Sequence, residues 1–337
     1  MNTKKIIVTD PTLRDGSHAC SHQITEEQLV AYATSADLSG VDYIEVGHGN
    51  GLGASSLQLG ENLIEEKRML QLARSVIKKS KMSVHVMPGF ATIEREIHQA
   101  MEIGVDLFRI GSHCTEADIT MRHINYVREK GKEVWGILMM THMASKEVLL
   151  EEAEKMQSYG AQAIVLMDSA GAFLPNDVTS KVGFLVENLV IPVGFHAHNN
   201  VGLSVANSLS AIDAGATIID ATACGFGAGA GNTPLELMAA AMFQLKLNSN
   251  LDLYKVLDTS DLARVLFAKN LPFSNSTTIV SGITGIFSGF AKIVERVAKE
   301  MKVNPKDIFF ELGRRKVIGG QEDLILEVAN ELAKQNN

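Results

Sequence analysis

The sequence predicts an α/β fold, a (β/α)8 TIM barrel followed by a helical C-terminal extension. Eight short apolar runs alternate with longer amphipathic segments over roughly 245 residues, a number of units and a length typical of such a barrel. Beyond about Lys246 the strand-like runs end, while helical periodicity continues. A doubly wound open sheet is the structural alternative, because it is built from the same parallel βαβ units.

Each apolar run is expected to form one strand, and the amphipathic segment after it the following helix. Two helix starts carry a capping-box pattern, Thr25 with Gln28 and Thr233 with Glu236, the second with Pro234 at the first helical position. The eight predicted strands are residues 6–9, 43–46, 82–87, 107–110, 134–140, 163–167, 191–195 and 217–221.

The polar segment 248–250 marks the expected domain boundary. Residues 1–248 are the predicted barrel and catalytic domain, and residues 249–337 the predicted helical C-terminal domain. Helical periodicity in that second domain covers residues 253–269, 284–301 and 321–334.

Composition excludes several broad classes of protein. The net charge is −8 and no basic block occurs, which argues against a nucleic-acid binder. Cys20, Cys114 and Cys224 form no CxxC pair, so the sequence indicates neither a thiolate zinc site nor a disulfide framework, and a cytoplasmic location is expected. The apolar run 6–8 is too short for a signal peptide, and no run approaches the roughly 18 apolar residues of a membrane span.

Charged and imidazole side chains collect where the predicted strands end. The C-terminal ends of barrel strands form one face, and the active sites of such barrels lie there. We therefore expect this face to carry the chemistry. The polar residues at the strand ends are Asp10, Arg14, Asp15, His18, Glu45, His48, His85, Arg109, His142, Asp168, Ser169, His196, His198, Asn199 and Asn200.

Three of these residues predict a metal site. His196 and His198 are two positions apart on a strand, so both rings lie on one face and can bind one ion. Asp15 can supply an oxygen ligand. Two histidines and one carboxylate suit Mn²⁺, Fe²⁺, Co²⁺ or Zn²⁺ better than Ca²⁺. The alternative is that both histidines form only local hydrogen bonds.

Arg14 and His18 are the candidate catalytic groups beside this site. Arg14 stays protonated and can hold the oxyanion of an enolate, or it can form a salt bridge with Asp15 or Glu45. The pKa range of histidine suits His18 for a general base, or His18 is a loop histidine without a role. For the other histidines, His48, His85, His113 and His142, structural and functional roles are both open.

The glycine-rich segment 225–232 follows the last predicted strand. Ala230 and Asn232 stand where GxGxxG would need its third glycine, and the segment does not follow the first strand, so a dinucleotide site is disfavoured. Its glycines allow close approach of backbone to a ligand, and the helix start at Thr233 would stabilise an anion. A tight connection without a ligand is the alternative.

Together these residues suit the cleavage of a 4-hydroxy-2-oxo acid. A 2-oxo acid chelates a metal through its carboxylate and keto oxygens, and cleavage of its C3–C4 bond leaves an enolate. The metal and Arg14 would stabilise that charge, while His18 removes the proton of the C4 hydroxyl. No lysine stands at a predicted strand end, so a Schiff-base mechanism is disfavoured.

The segment 12–16, Thr-Leu-Arg-Asp-Gly, and the His196-Ala197-His198 pair resemble the DRE-TIM metallolyases, which include isopropylmalate and homocitrate synthases, hydroxymethylglutaryl-CoA lyase and pyruvate aldolases. Within that superfamily the chain is similar nearly end to end to the 4-hydroxy-2-oxovalerate aldolases. The segments that carry this second likeness are 14–18, 44–49, 113–118, 138–143, 227–232 and 319–323.

The resemblance implies Mn²⁺ held by Asp15, His196 and His198. It further implies Arg14 as enolate stabiliser, His18 as base, Glu45 as a supporting acid and Ser169 near the pyruvate carboxylate. Family members usually pair with an acylating aldehyde dehydrogenase that receives the aldehyde through a channel. The C-terminal domain would then serve as partner contact and active-site lid.

Two positions depart from the family pattern. A family tyrosine reaches into the site from the tail, and aligning segment 281–285 puts Ile283 there, with Phe287 the nearest aromatic residue. His85 falls where relatives have an apolar residue beside the aldehyde, which suggests that the chain accepts a more polar aldehyde than acetaldehyde. Two other readings stay open: a Claisen-type lyase that condenses an acyl-CoA with a 2-oxo acid, and a catalytically silent homologue.

Overall fold

The computed structural model describes residues 4–335, so the outermost residues of both predicted domains lie outside it. Eight parallel strands pair in sequence order and close into a barrel, in which β8 pairs with β1. This confirms the predicted (β/α)8 barrel with a helical extension and excludes the doubly wound sheet. The strands are β1 Ile7–Leu13, β2 Tyr43–Val46, β3 Lys81–Val86, β4 Leu107–His113, β5 Glu133–Met139, β6 Ile164–Asp168, β7 Val193–Ala197 and β8 Ile218–Asp220.

The first strand extends further than its apolar run predicts, because its polar residues have partners inside the wall of the barrel. The Asp10 carboxylate accepts hydrogen bonds from the Thr12 amide at 2.9 Å and from the Tyr32 hydroxyl at 2.6 Å. Burial raises the pKa of Asp10 to about 6. Strand β1 therefore continues to Leu13 and brings Arg14 and Asp15 to the mouth of the barrel.

The barrel helices follow the predicted alternation. Thr25 and Gln28 form the predicted capping box of the first helix. The second predicted capping box is wrong: the helix begins at Leu235, and the Thr233 hydroxyl instead contacts Ser208 and donates to the Ser204 carbonyl. The helices are α1 Glu26–Leu38, α2 Glu66–Val76, α3 His98–Ile103, α4 Met121–Glu129, α5 Lys146–Ser158, α6 Pro175–Asn188, α7 Ser204–Asp213 and α8 Leu235–Gln244.

The extension is helical, as predicted, but its segments differ. The single helix predicted over 284–301 is wrong, because one helix ends before Gly285, which has a positive φ of 70°, and the next begins at Ala291. The helix α12 was not predicted. The helices of the extension are α9 Leu253–Leu266, α10 Ser276–Ile283, α11 Ala291–Met301, α12 Pro305–Arg314 and α13 Asp323–Gln335.

The barrel and the extension have separate apolar cores: the barrel has a large core and a smaller cluster of strand residues, and the extension has a second core. Val256 and Ala263 of α9 belong to the large barrel core, whereas the second core begins at Val280 and includes Val294 and Phe309. The predicted boundary after residue 248 stays a proposal, and this division favours one between α9 and α10. Among residues 4–335 no helix has the length and apolarity that crossing a membrane requires.

Candidate active site

A cavity of about 80 Å³ lies at the mouth of the barrel and extends to two connecting segments of the C-terminal extension. A buried water needs at least roughly 10 to 15 Å³ by a comparable measure, so the space suits a small metabolite. The cavity brings together residues from strand ends and from the extension. Its lining is Arg14, Asp15, His18, Gly49, Asn50, His85, Met87, Phe90, Met139, Met167, His198, Phe287, Gly319, Gly320 and Glu322.

The predicted metal ligands converge at this mouth. One potential ligand atom from each of Asp15, His196 and His198 lies within 4.8 Å of the others, and all three residues are buried. The Nδ1 of His196 is hydrogen-bonded to Asp220 at 2.9 Å, and its buried Nε2 has no partner among residues 4–335. A carboxylate behind a histidine is the usual arrangement that orients a metal ligand. The donor set therefore fits a divalent transition metal.

Asp15 is held in its anionic form. One carboxylate oxygen accepts from Arg14 at 2.8 Å, and the other accepts from the Asn232 side chain at 2.7 Å and from the Ala228 amide at 3.3 Å. Burial alone would raise the pKa of this carboxyl, but the charge of Arg14, together with His198 and His196, holds it well below its usual range.

Arg14 forms both of the salt bridges that the sequence left open. Its Nη1 donates to Asp15 and to the Gly49 carbonyl at 3.2 Å, and its Nε donates to Glu45 at 3.2 Å. Its buried Nη2 lies 3.2 Å from Glu45 Oε2 as part of the same salt bridge, but without the geometry of a hydrogen bond. The guanidinium is thus fixed by Asp15, Gly49 and Glu45, and the donor capacity of Nη2 is left for an oxyanion.

A buried charge network continues behind Arg14. Glu45 also accepts from Arg109 at 2.9 Å, and Arg109 donates to Asp220, which in turn binds His196. Every one of these side chains is at most 4% exposed. The network, defined as Arg14, Glu45, Arg109, Asp220 and His196, links the candidate oxyanion group to a candidate metal ligand.

His18 lies on a short 3-10 turn directly after Asp15. A Cβ at Gly49 would stand 2.4 Å from its Nε2, so glycine there leaves room for the ring. Burial lowers the pKa of His18, which keeps the imidazole neutral and able to accept a proton. His22 and His48 stack at 3.7 Å behind it, and the Phe287 ring lies 6.4 Å from it.

Four predicted site residues are not in the lining: Glu45 and His196, which belong to the charge network, and Ile283 and Ser169. Ile283 is 62% exposed and lies outside the cavity, so its expected place beside the base is corrected. Phe287, four residues later and beyond the end of α10, lines the cavity there. Ser169 is buried behind the lining, where its hydroxyl accepts from the Met140 amide at 2.9 Å and its carbonyl accepts from the Ser288 amide.

The other histidines divide between site and scaffold. His85 is 2% exposed and lines the cavity. His48 is hydrogen-bonded to the Gly60 carbonyl, His113 to Thr115, and His142 to the Gly285 carbonyl at 2.8 Å. Those three therefore hold loops together, and His142 joins the barrel to the extension.

The glycine-rich segment supports Asp15. Its Ala228 and Asn232 donate to that carboxylate, and the Asn232 amide nitrogen closes the segment on the Gly225 carbonyl. The first amide of α8, at Leu235, donates to Thr222 and is not free for an anion. Sequence reasoning assigned no role to Asp220 or Asn232. The signals that could have indicated them were that Asp220 is a single acid inside an apolar run and that Asn232 ends the glycine-rich segment.

Known proteins resemble this chain in sequence along nearly its whole length. A family model described as HMGL-like matches residues 5–263, and one described as a DmpG-like communication domain matches residues 272–334. The 4-hydroxy-2-oxovalerate aldolase of Pectobacterium atrosepticum is 56% identical over 99% of this chain and 97% of its own length. The enzyme of the same name from Spirochaeta aurantia is 52% identical over 100% of this chain and 98% of its own.

A solved structure agrees in fold. The carboxyl transferase domain of Rhizobium etli pyruvate carboxylase, with pyruvate and biocytin, superposes with a TM-score of 0.85 at 15% identity. The match covers 99% of this chain and 61% of that one. At this identity the likeness speaks for the barrel and its extension alone.

Proposed function

The chain belongs to the HMGL-like family, among the 4-hydroxy-2-oxovalerate aldolases, and from this premise we propose that it cleaves 4-hydroxy-2-oxo acids, such as 4-hydroxy-2-oxopentanoate, to pyruvate and an aldehyde. The observation that carries the proposal is the convergence of Asp15, His196 and His198 within 4.8 Å, at a cavity that Asp15 and His198 line together with Arg14 and His18. The relatives' names favour this reaction over condensation of an acyl-CoA.

We assign Asp15, His196 and His198 as ligands of a divalent metal, with Mn²⁺ the proposed ion. The unpartnered Nε2 of His196 and the anionic Asp15 support this assignment. When bound, such an ion polarises the 2-oxo group as a Lewis acid.

The side chains of this chain would then divide the reaction between them. Neutral His18 takes the proton from the C4 hydroxyl, the C4–O bond becomes a carbonyl, and the C3–C4 bond breaks. The electron pair of that bond passes to C3 and forms the enolate of pyruvate, whose oxygen would accept a hydrogen bond from Arg14 Nη2. Solvent water protonates C3 to complete pyruvate, and the proton on His18 returns to solvent.

The remaining predicted residues receive supporting roles. Glu45 accepts from both Arg14 and Arg109, so we assign it as a positioning residue that holds the oxyanion group. Ser169 would help to position the carboxylate of pyruvate indirectly, because its hydroxyl fixes the backbone amide of Met140. His85, which lines the cavity, would contact the aldehyde portion.

We further propose an acylating aldehyde dehydrogenase as partner. The match of residues 272–334 to a communication domain supports this, and so does the contribution of Phe287 and Glu322 to the cavity from the same segment. A cytoplasmic location is also proposed, since Cys20, Cys114 and Cys224 are all free thiols.

The test is pyruvate release from racemic 4-hydroxy-2-oxopentanoate by metal-stripped protein, with and without added Mn²⁺. Pyruvate that forms only with Mn²⁺ is the expected result, and a plateau at half of the racemate would report stereoselectivity. If the protein binds Mn²⁺ yet releases no pyruvate, while acetyl-CoA and a 2-oxo acid together release free thiol, the chain is a condensing enzyme.

A further inference from the structure

Among the polar side chains of the cavity, His85 and Glu322 take no part in the bond cleavage itself. Much of the lining is apolar, from Met87, Phe90 and Met139 to Phe287. His85 and Glu322 interrupt this surface, the first from strand β3 and the second from the loop before α13.

His85 has the burial of a core residue without the partners that such a residue normally has. It is 2% exposed, and its buried Nδ1 has no hydrogen-bond partner within residues 4–335. A Cβ at Gly111 would stand 2.8 Å from its Cε1, so the ring is packed against that strand. Burial lowers its pKa well below the ordinary value, so the neutral ring offers one donor and one acceptor.

Glu322 offers an acceptor to the same cavity. Its Oε1 accepts from the Gly320 amide at 3.2 Å. Its Oε2 is buried and has no partner in the part of the chain that the structure describes. A buried carboxylate oxygen without a donor is costly, and a ligand hydroxyl is the kind of group that would satisfy it.

We propose that the aldehyde half of the substrate carries a hydroxyl group, so that the preferred substrates are short 4,5-dihydroxy-2-oxo acids, which yield pyruvate and a 2-hydroxyaldehyde. The C5 hydroxyl donates to Glu322 and accepts from His85, and both side chains gain the partner that the fold does not provide. This inference rests on the proposed function. The C3–C4 cleavage is unchanged, and the C5 hydroxyl neither gains nor loses a proton.

The small volume of the cavity limits the length of this aldehyde. At about 80 Å³ it suits a product with two or three carbon atoms better than a sugar-length chain. Glycolaldehyde is the shortest member of the class. Acetaldehyde has a hydrogen where glycolaldehyde has the hydroxyl, and it would leave His85 and Glu322 unpaired.

The experiment compares two substrates with equal numbers of non-hydrogen atoms in the Mn²⁺-loaded full-length enzyme. These are 4,5-dihydroxy-2-oxopentanoate and 4-hydroxy-2-oxohexanoate, in which a methyl group replaces the C5 hydroxyl. Pyruvate release gives kcat/KM for each. We expect the dihydroxy substrate to be favoured at least about tenfold, since a site with buried polar groups rejects an analogue that leaves them unpaired.

Variants locate the source of that preference. His85→Leu and Glu322→Gln are each expected to lower the ratio of the two kcat/KM values by about tenfold, the scale of one hydrogen bond to a buried group. Asp323→Asn removes the neighbouring exposed carboxylate and is expected to leave the ratio unchanged. Glu322→Leu serves as a second variant without any hydrogen-bonding group.

A third substrate separates this inference from the proposed function. If 4-hydroxy-2-oxopentanoate is cleaved but the dihydroxy substrate is not favoured, or if the preference survives in both His85→Leu and Glu322→Gln, the inference is overturned and the aldolase function stands. If none of the three substrates releases pyruvate in the presence of Mn²⁺, the proposed function fails and this inference with it.

Discussion

The charge network and the apolar lining meet at one cavity but are built in opposite ways. In the network, the acids and arginines hold one another through hydrogen bonds of 2.5 to 3.2 Å that the fold provides. The network also keeps buried atoms without a partner, such as Arg14 Nη2 and His196 Nε2, but each of its side chains is paired with another. In the lining, His85 and Glu322 have no side-chain partner among residues 4–335, and each keeps a buried polar atom without a hydrogen bond. The contrast suggests that groups for the constant pyruvate half are preorganised, whereas groups for the aldehyde half wait for a ligand.

This difference has an energetic basis. Fixed charges stabilise a developing enolate because they need no reorganisation during the reaction. Buried charges are tolerated only while each keeps its partner, and removing one partner leaves the other uncompensated. Substitutions in the network should therefore affect metal binding, rate and stability together, while substitutions in the lining should affect mainly the choice of aldehyde.

The largest effect is expected from removing a proposed metal ligand. His198→Ala should lower Mn²⁺-dependent pyruvate release by about a thousandfold or more, since Lewis-acid stabilisation is worth several kcal/mol. Mn²⁺ affinity, followed by titration calorimetry, should fall in parallel. His113→Ala, at a half-buried histidine outside the cavity, is the matched control. Full Mn²⁺ affinity in His198→Ala would remove this residue from the metal site.

A smaller effect is expected from breaking the network at its centre. Arg109→Met leaves Glu45 and Asp220 buried without their shared cation, and the free energy of unfolding should fall by about 3 to 5 kcal/mol. Mn²⁺ affinity should fall by about 10 to 100 fold, because Asp220 no longer orients His196. Urea denaturation and Mn²⁺ titration measure the two quantities.

Arg68→Met is the control for that variant. Its partner is Glu26, and the two side chains are 51% and 43% exposed, so solvent screens the pair and the free energy of unfolding should hardly change. If Arg109→Met proves no less stable than Arg68→Met, the network does not contribute to the free energy of unfolding.

The smallest effect is expected at the contact between His142 of the barrel and Gly285 of the extension. Burial lowers the pKa of His142, which binds the Gly285 carbonyl, to about 4. The unfolded chain, in which histidine titrates near 6.5, binds more protons between about pH 6.5 and 4, so stability should fall as the pH falls through this window.

Thermal unfolding between pH 7 and 4 measures this fall. In His142→Gln the contribution of His142 is absent, so the decrease in Tm should be shallower than in the unchanged protein. His98→Gln, at an exposed histidine, should follow the unchanged protein. An identical pH dependence in all three proteins would show that the contact between His142 and Gly285 does not respond to protonation.

Much of the site could be predicted because its residues follow strand ends. The spacing of His196 and His198 fixes both rings on one face, and the first strand delivers Arg14 and Asp15 to the same mouth. Their convergence needed only the rule that parallel strands end together. Their roles in catalysis remain proposals.

The network behind them could not be predicted from local pattern. Arg109 stood among the strand-end residues without a role, and Asp220 is a single acid inside an apolar run. Arg109 is 64 residues from Glu45 and 111 residues from Asp220 in the chain, so only the closed barrel brings the three together. Local signals also failed at Thr233, whose hydroxyl is taken by α7 instead of capping α8.

The extension was the least predictable part of the cavity. It has no strand register, so no local pattern decided between Ile283 and Phe287, which are four residues apart in the sequence. The end of α10 before Gly285 turns the chain, leaves Ile283 in solvent and places Phe287 at the cavity. Glu322 was seen only as part of a family-like segment.

The central claim is that this mouth stabilises the enolate of pyruvate, and it can be tested without knowing the aldehyde. Pyruvate is incubated with the protein in D₂O, and exchange of its C3 protons is followed by NMR with Mn²⁺ or with a chelator. We expect exchange that requires Mn²⁺ and that falls by about a hundredfold in Arg14→Met, the scale of one lost oxyanion donor. No exchange despite bound Mn²⁺, or full exchange in Arg14→Met, would contradict the account.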